Sequence, residues 1–256
     1  MNESITVNYI GHATTLLEFG ATRVLTDPFF ASSFMGSQRT NLHNFDPVDL
    51  PTPEAIVVSH VGYGHFDEAS FRYLSSDIPV IVPEGSYAFI DHLISNPIIE
   101  LSHFAAYTLP SGLEITAVPA DHPSFSLRHF RPKKANAYLL RHHGKQVYFC
   151  GASAFGPSFN QIMTGTPDID IALLPIGGST PSWLFGRFNM SPEDALKATV
   201  HLRAKHMIPL LWGSFPMLLG GRKNPIDRLQ RALIEIPELA LRTHIVQPGE
   251  KMAFGE

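Results

Sequence analysis

Short apolar runs punctuated by glycine, proline and aspartate dominate the first two-thirds of the chain: Ile5 to Ile10, Thr14 to Phe19, Arg23 to Thr26, Ala55 to Ser59, Val80 to Val82, Leu113 to Pro119, Ala137 to Leu140 and Gln146 to Cys150. Runs of this length bounded by turn-forming residues predict strands. Between them, Glu68 to Leu74 and Ser86 to Leu93 carry helical spacing. A later strand is expected at Ile169 to Pro175, and Ser191-Pro192-Glu193-Asp194 then opens a helix running to about Arg203. Ser191 suits its N-cap, Pro192 its first turn, and the acidic pair complements its dipole. A strand at Met207 to Leu211, a helix from Pro225 to about Ile234 and a closing strand near His244 to Gln247 complete the pattern. Strands alternating with single helices predict sheets covered by helices. No repeat, low-complexity tract or linker divides the sequence, so residues 1–256 are expected to form one domain.

Composition narrows the function classes. The chain has 256 residues, 44% hydrophobic and 16% charged, enough to bury a large core. Its formal net charge is -4 and its lysines and arginines form no long run, which argues against nucleic acid and favours a small-molecule ligand or substrate, or a protein partner. The single cysteine, Cys150, sits in a strand-like run and cannot form an internal disulfide, so a buried thiol in a reducing, cytoplasmic setting is expected. Met1-Asn2-Glu3 leads straight into a strand pattern without the features of a signal peptide, and no apolar run approaches the roughly 20 residues that span a bilayer.

The segments that carry chemistry are Tyr9-Ile10-Gly11-His12-Ala13-Thr14, Leu25-Thr26-Asp27-Pro28, Val58-Ser59-His60-Val61-Gly62-Tyr63-Gly64-His65-Phe66-Asp67, Val118-Pro119-Ala120-Asp121-His122, Val147 to Ser153, and Leu174 to Gly178 through Pro192-Glu193-Asp194-Ala195 to Pro209-Leu210-Leu211-Trp212-Gly213-Ser214-Phe215. In order and spacing they resemble the metallo-β-lactamase superfamily, in the branch of the ascorbate-phosphate lactonase and the N-acyl-phosphatidylethanolamine phospholipase D. The resemblance covers nearly the whole chain and implies an α/β fold, the four-layer αββα sandwich. It also implies a pair of metal ions about 3.5 to 4 Å apart that ionise a water. In that family a His-x-His-x-Asp-His loop, a later histidine, a bridging aspartate and a last histidine hold the metals.

Carried over residue by residue, the first motif histidine falls on His60, the second on Gly62, the aspartate on Gly64 and the following histidine on His65. The later histidine is His122, the bridging aspartate falls on Ala152 and the last histidine on Leu211. Glycine, alanine and leucine side chains have no lone pair to coordinate with. A two-metal centre is therefore not expected. The cofactor is expected to be none, or at most one divalent metal such as zinc shared by His60, His65 and His122. The altered positions predict a roomier, more apolar pocket with His60, Tyr63, His65, Asp121, His122 and Ser153 as its polar groups.

Other residues have plainer readings. His12 is expected to be a buried framework histidine and Asp27 a turn or supporting residue. Asp67 has two readings, orienting His65 or capping a helix. Ser153 with His122 lacks the nucleophile elbow of serine hydrolases. His142-His143 beside Gly144 reads as an exposed hairpin turn. Phe29-Phe30, Phe34-Met35 and Phe215 to Leu219 are apolar loops expected at the pocket mouth. They suit a lid or a homo-oligomer contact, and less well a membrane surface. Arg128 to Lys134, with Arg131, Lys133 and Lys134, reads as a solvated loop before an anion site.

Three functions compete. The first is a small-molecule-binding pseudoenzyme, or an enzyme that does not use two metals. The second is a mononuclear hydrolase of an ester, lactone or phosphodiester. The third is a structural or assembly protein that uses the former active face.

Overall fold

The computed structural model describes residues 4–34, 36–40, 45–122, 124–125, 132–162, 168–177, 189–215 and 225–255. Its first sheet holds β1 (Ile5–Gly11), β2 (Thr14–Phe19), β3 (Thr22–Thr26), β6 (Ala55–Val57), β7 (Val80–Pro83), β8 (Ile98–Leu101) and β17 (Glu250–Phe254), in the order β17-β1-β2-β3-β6-β7-β8. The β17-β1-β2-β3 part is antiparallel, and β3, β6, β7 and β8 run parallel. The second sheet has the order β16-β15-β14-β13-β10-β9. Its strands are β9 (Ala106–Thr108), β10 (Glu114–Pro119), β13 (Asn136–His142), β14 (Lys145–Phe149), β15 (Ile171–Pro175) and β16 (His206–Leu210). Two small hairpins pair β4 (Ser33–Phe34) with β5 (Ser37–Gln38), and β11 (Ser124–Phe125) with β12 (Pro132–Lys133).

Both faces of the first sheet are apolar, because each meets a different layer. Ile5, Val7, Tyr9, Leu17 and Val24 share one core with Ala117, Tyr138, Tyr148 and Leu173 of the second sheet. On the other face Ile10, Leu16, Leu25, Ile56 and Val80 pack with Phe71 of the 3-10 turn Glu68–Tyr73 and Ile90 of α1 (Tyr87–Ile90). The second sheet is covered by α3 (Pro192–His201), which contacts β15, β16 and α4 (Pro225–Glu235). The short α2 (Ser158–Ile162) lies against β10, and α5 (Pro237–Ala240) follows α4. This is the αββα sandwich. Burial on two faces is why the strands read as continuous apolar runs. Each buried Leu or Ile contributes about 1.5–3 kcal/mol.

Most elements fall within a residue or two of their expected limits, and Ser191 accepts from the backbone N–H of Asp194 as a cap should. Three expectations need correction. The closing strand is β17, not His244 to Gln247, which is not a strand; Thr243, just before it, makes a bridge to Met207. In β17 only Phe254 is buried, so this edge strand carries no apolar alternation. The helix expected over Ser86 to Leu93 is regular only at Tyr87–Ile90. His142 is 6% exposed and meets Phe19 edge-on at 6.2 Å, so of the histidine pair only His143 faces solvent.

Candidate functional site

The loops that follow β3, β6, β10, β14, β15 and β16, with the β1–β2 turn, meet at one edge of the two sheets. Asp27 directly follows β3 with a positive φ of 33°, its N–H donating to Val57 O at 2.9 Å. That turn aims its carboxylate at the neighbouring loop. The side chain, fully buried, accepts from Ser59 N at 2.6 Å, Ser59 Oγ at 2.7 Å and His65 Nδ1 at 2.6 Å. Asp27 is thus the supporting residue that orients His65. Asp67 instead accepts from Ser70 Oγ at 2.5 Å, and its own carbonyl accepts from Ser70 N at 3.0 Å. Its side chain makes no backbone cap, so neither role expected of the Asp67 carboxylate is realised.

Three of the expected site residues come together. The His60 ring centroid lies 4.3 Å from that of His65 and 4.6 Å from that of His122. His60 and His65 are buried, at 4% and 5% exposure, and His122 is half-buried. Ser59 Oγ lies 3.2 Å from His60 Nδ1. Gly151, in the loop just after β14, lies so close to Ser59 that a Cβ there would stand 2.2 Å from Ser59 Cβ.

The other three expected pocket residues are drawn elsewhere. Asp121 accepts from Ser158 N at 3.1 Å and Ser158 Oγ at 2.6 Å, fastening the start of α2. The hydroxyl of Ser153, fully buried, accepts from Asp121 N and donates to Ala154 O, so it is committed to the loop. Tyr63 is 76% exposed, with its ring 5.8 Å from that of Phe34.

The four positions that the resemblance matches to missing ligands are closely packed. A Cβ on Gly62 would stand 2.4 Å from His60 Cδ2 and 2.5 Å from His60 Nε2. Gly64 has a φ of +88°, and a Cβ there would meet His12 Nε2 at 2.8 Å and Phe34 Cε2 at 3.1 Å. Ala152 is buried. Leu211 keeps a left-handed φ of 60° while its N–H donates to His12 O at 2.8 Å. That conformation costs a non-glycine residue roughly 1–2 kcal/mol.

An aromatic cluster, legible in the sequence only as apolar loops, walls one side. The His12 ring lies 5.6 Å from Phe29, 5.3 Å from Phe34, 5.8 Å from His65 and 5.4 Å from Phe215. Burial, then repulsion by His65 and Arg39, holds the His12 pKa well below the usual histidine value. Phe29 is core rather than lid, at 6% exposure. The Arg39 guanidinium sits 4.8 Å from the Phe215 ring and donates to the carbonyls of Ala31 and Phe29. Burial lowers its pKa to about 10. The sequence singled out neither Arg39 nor its role, which depends on contacts between distant segments. Met35 and residues 216–219 lie outside the described residues. So do Arg128 and Arg131, while Lys134 pairs with Glu84.

Comparison with known proteins identifies the class. The model of the β-lactamase superfamily domain matches residues 22–212, and the chain belongs to that family. Its relatives include an N-acyl-phosphatidylethanolamine-hydrolyzing phospholipase D of Caenorhabditis elegans, 27% identical over 227 residues, covering 82% of this chain and 64% of that protein. A metal-dependent hydrolase of Thermus thermophilus is 28% identical over 246 residues, covering 96% of this chain and 97% of the other. The crystal structure of an isothiocyanate hydrolase from Delia radicum gut bacteria superposes with a TM-score of 0.74 at 22% identity, over 97% of this chain and 98% of that one, and shows the shared fold. The chain spans 64% of the length of the first curated relatives it matches. Among the described residues no helix is long and apolar enough to cross a membrane.

Proposed function

We propose that this chain is a metallo-β-lactamase-fold protein whose histidine pocket binds a small molecule, the ligands for a metal pair having been lost. The observation that carries this reading is the His60 ring lying over Gly62, where a Cβ would stand 2.4 Å from Cδ2. The room that a second coordinating side chain needs is taken by the first histidine. At Gly64 the same is true of the His12 and Phe34 rings.

The donor set does not fit the family's two-metal centre. Bound divalent ions need side chains with lone pairs at bonding distance. Positions 62, 64, 152 and 211 supply none. Among the described residues no group of three or more His, Cys, Asp or Glu side chains is placed to hold a metal ion. What the pocket retains is histidine chemistry, with the His65 ring held by Asp27 at 2.6 Å as a positioned proton acceptor.

A second reading has an observation of its own. The rings of His60, His65 and His122 are neighbours tilted at 43° and 47°, and with movement of the loop that holds Gly62 and Gly64 they would share one ion, as three imidazoles do in some zinc sites. A relative named as a metal-dependent hydrolase favours it. On this reading the present chain would hydrolyse an ester, lactone or phosphodiester.

Metal analysis of protein purified without chelator separates the two. The proposal expects less than about a tenth of an equivalent of any divalent metal per chain. About one equivalent, with hydrolysis lost on chelation, establishes the second reading. About two equivalents overturns both.

A further inference from the structure

Two imidazoles face each other at the edge of the sheets opposite the pocket. His206 opens β16, which runs parallel to β15 toward the pocket loops, so Leu211 lies about 16 Å away along the strand. His244 stands in the segment between α5 and β17. The backbone sets the pair. His206 N–H donates to Asp170 O at 2.9 Å, His244 N–H donates to Met207 O at 2.8 Å, and Thr243 bridges to Met207. Both rings are half-buried and rest on Phe254 of β17, with ring centres 5.0 and 5.1 Å from it.

The spacing of the two rings is close to that of ligands on one ion. Imidazoles bound to a tetrahedral zinc at 2.0–2.1 Å place their nitrogens about 3.3 Å apart and their ring centres about 5.2 Å apart. Here Nδ1 of His206 and Nε2 of His244 are 3.0 Å apart, and the ring centres 5.0 Å. A movement of about 0.3 Å admits the ion. Burial lowers the pKa of both rings, aided at His244 by His206, so both are neutral near pH 7 and have lone pairs to share. The nearest carboxylate is spoken for, since Asp170 pairs with Lys205 at 2.9 Å and accepts from Gln146 N at 2.8 Å.

We propose that His206 and His244 form a two-histidine clip for a divalent transition-metal ion such as zinc, water completing its coordination, and that the ion fastens the segment before β17 to the second sheet. The inference stands apart from the pocket reading above. Imidazole nitrogen selects zinc, nickel or copper over magnesium or calcium, which prefer oxygen. The protons balance without release. The hydrogen that joins the rings leaves its facing nitrogen and the same ring takes one up on its outer nitrogen, so both imidazoles stay neutral. With two protein ligands rather than three or four, the ion exchanges with solvent and is expected to be lost during purification.

The test is nitrogen NMR of histidine-labelled protein at about pH 7.5, above the ordinary histidine value, titrated with zinc chloride and separately with magnesium chloride. His206→Gln and His244→Gln provide the assignments. Zinc is expected to move the Nδ1 signal of His206 and the Nε2 signal of His244 together, at a concentration at least about tenfold lower than magnesium needs. Either substitution is expected to weaken zinc at the remaining ring at least about tenfold, because one imidazole cannot chelate. Zinc-edge anomalous diffraction from wild-type crystals soaked in excess zinc needs no variant, and one peak is expected between the two facing nitrogens. No peak there, with both signals unmoved by zinc, overturns the clip. Unchanged zinc affinity in the single variants, or a response equal for zinc and magnesium, overturns it as well by showing adventitious binding to a lone histidine.

Discussion

Asp27 Oδ2 and His65 Nδ1 lie 2.6 Å apart across 38 residues of sequence, joining the end of β3 to the loop that follows β6. The same carboxylate holds Ser59 through both its backbone N–H and its hydroxyl, so one buried side chain organises the whole motif loop. Asp27→Ala would strand three donors at once. It is expected to cost about 2–4 kcal/mol, read as a shift of the urea midpoint with unchanged slope. A loss under about 1 kcal/mol would mean that Asp27 does not organise the loop.

Glycine substitutions separate strain from collision. Gly112→Ala places a Cβ in open space at a φ of +87°, so only backbone strain, roughly 1–2 kcal/mol, is expected. Gly64→Ala adds contacts of 2.8 Å to His12 and 3.1 Å to Phe34 at a similar φ, and should cost about 1–3 kcal/mol more. Equal unfolding free energies for the two variants would contradict the filled site.

His206 and His244 meet at 3.0 Å between Nδ1 and Nε2, and burial lowers the pKa of both, aided at His244 by His206. Their folded values lie below the unfolded value of 6.5, so the unfolded chain binds more protons in between. Their contribution to stability is whole above pH 6.5 and is lost as pH falls from 6.5 through the folded values. Urea titrations between about pH 7.5 and 5 should show stability falling with acid, and His206→Gln with His244→Gln should flatten that slope. An unchanged slope in the double variant would refute the assignment.

Cys150 is fully buried, and burial pushes its thiol up to about 12. A thiol reagent at neutral pH should label the folded protein slowly and the urea-unfolded protein at once. Equal rates would place Cys150 outside the core.

The parts of the fold visible in the sequence are those whose burial is two-sided or cleanly periodic. β2 has the limits its apolar run predicted, and α3 begins at its Ser191 cap. The edge strands β8, β9 and β17 were hidden because their burial is partial and irregular. At the site, the family resemblance implied the grouping of His60, His65 and His122. What the other polar residues do was not legible, since it depends on distant partners. Asp121 and Ser153 are claimed by Ser158 and the loop backbone, and Asp27, rather than the nearby Asp67, claims His65. The aromatic packing on Gly64 needed segments from Phe34 and His12, far from it in sequence.

The central claim is that rings and backbone fill the space where a metal pair would be held. Anomalous diffraction at the zinc edge, from crystals grown with zinc in excess, tests it most directly. The account predicts no pair of peaks among His60, His65 and His122. Two well-occupied peaks about 3.5 to 4 Å apart would contradict it.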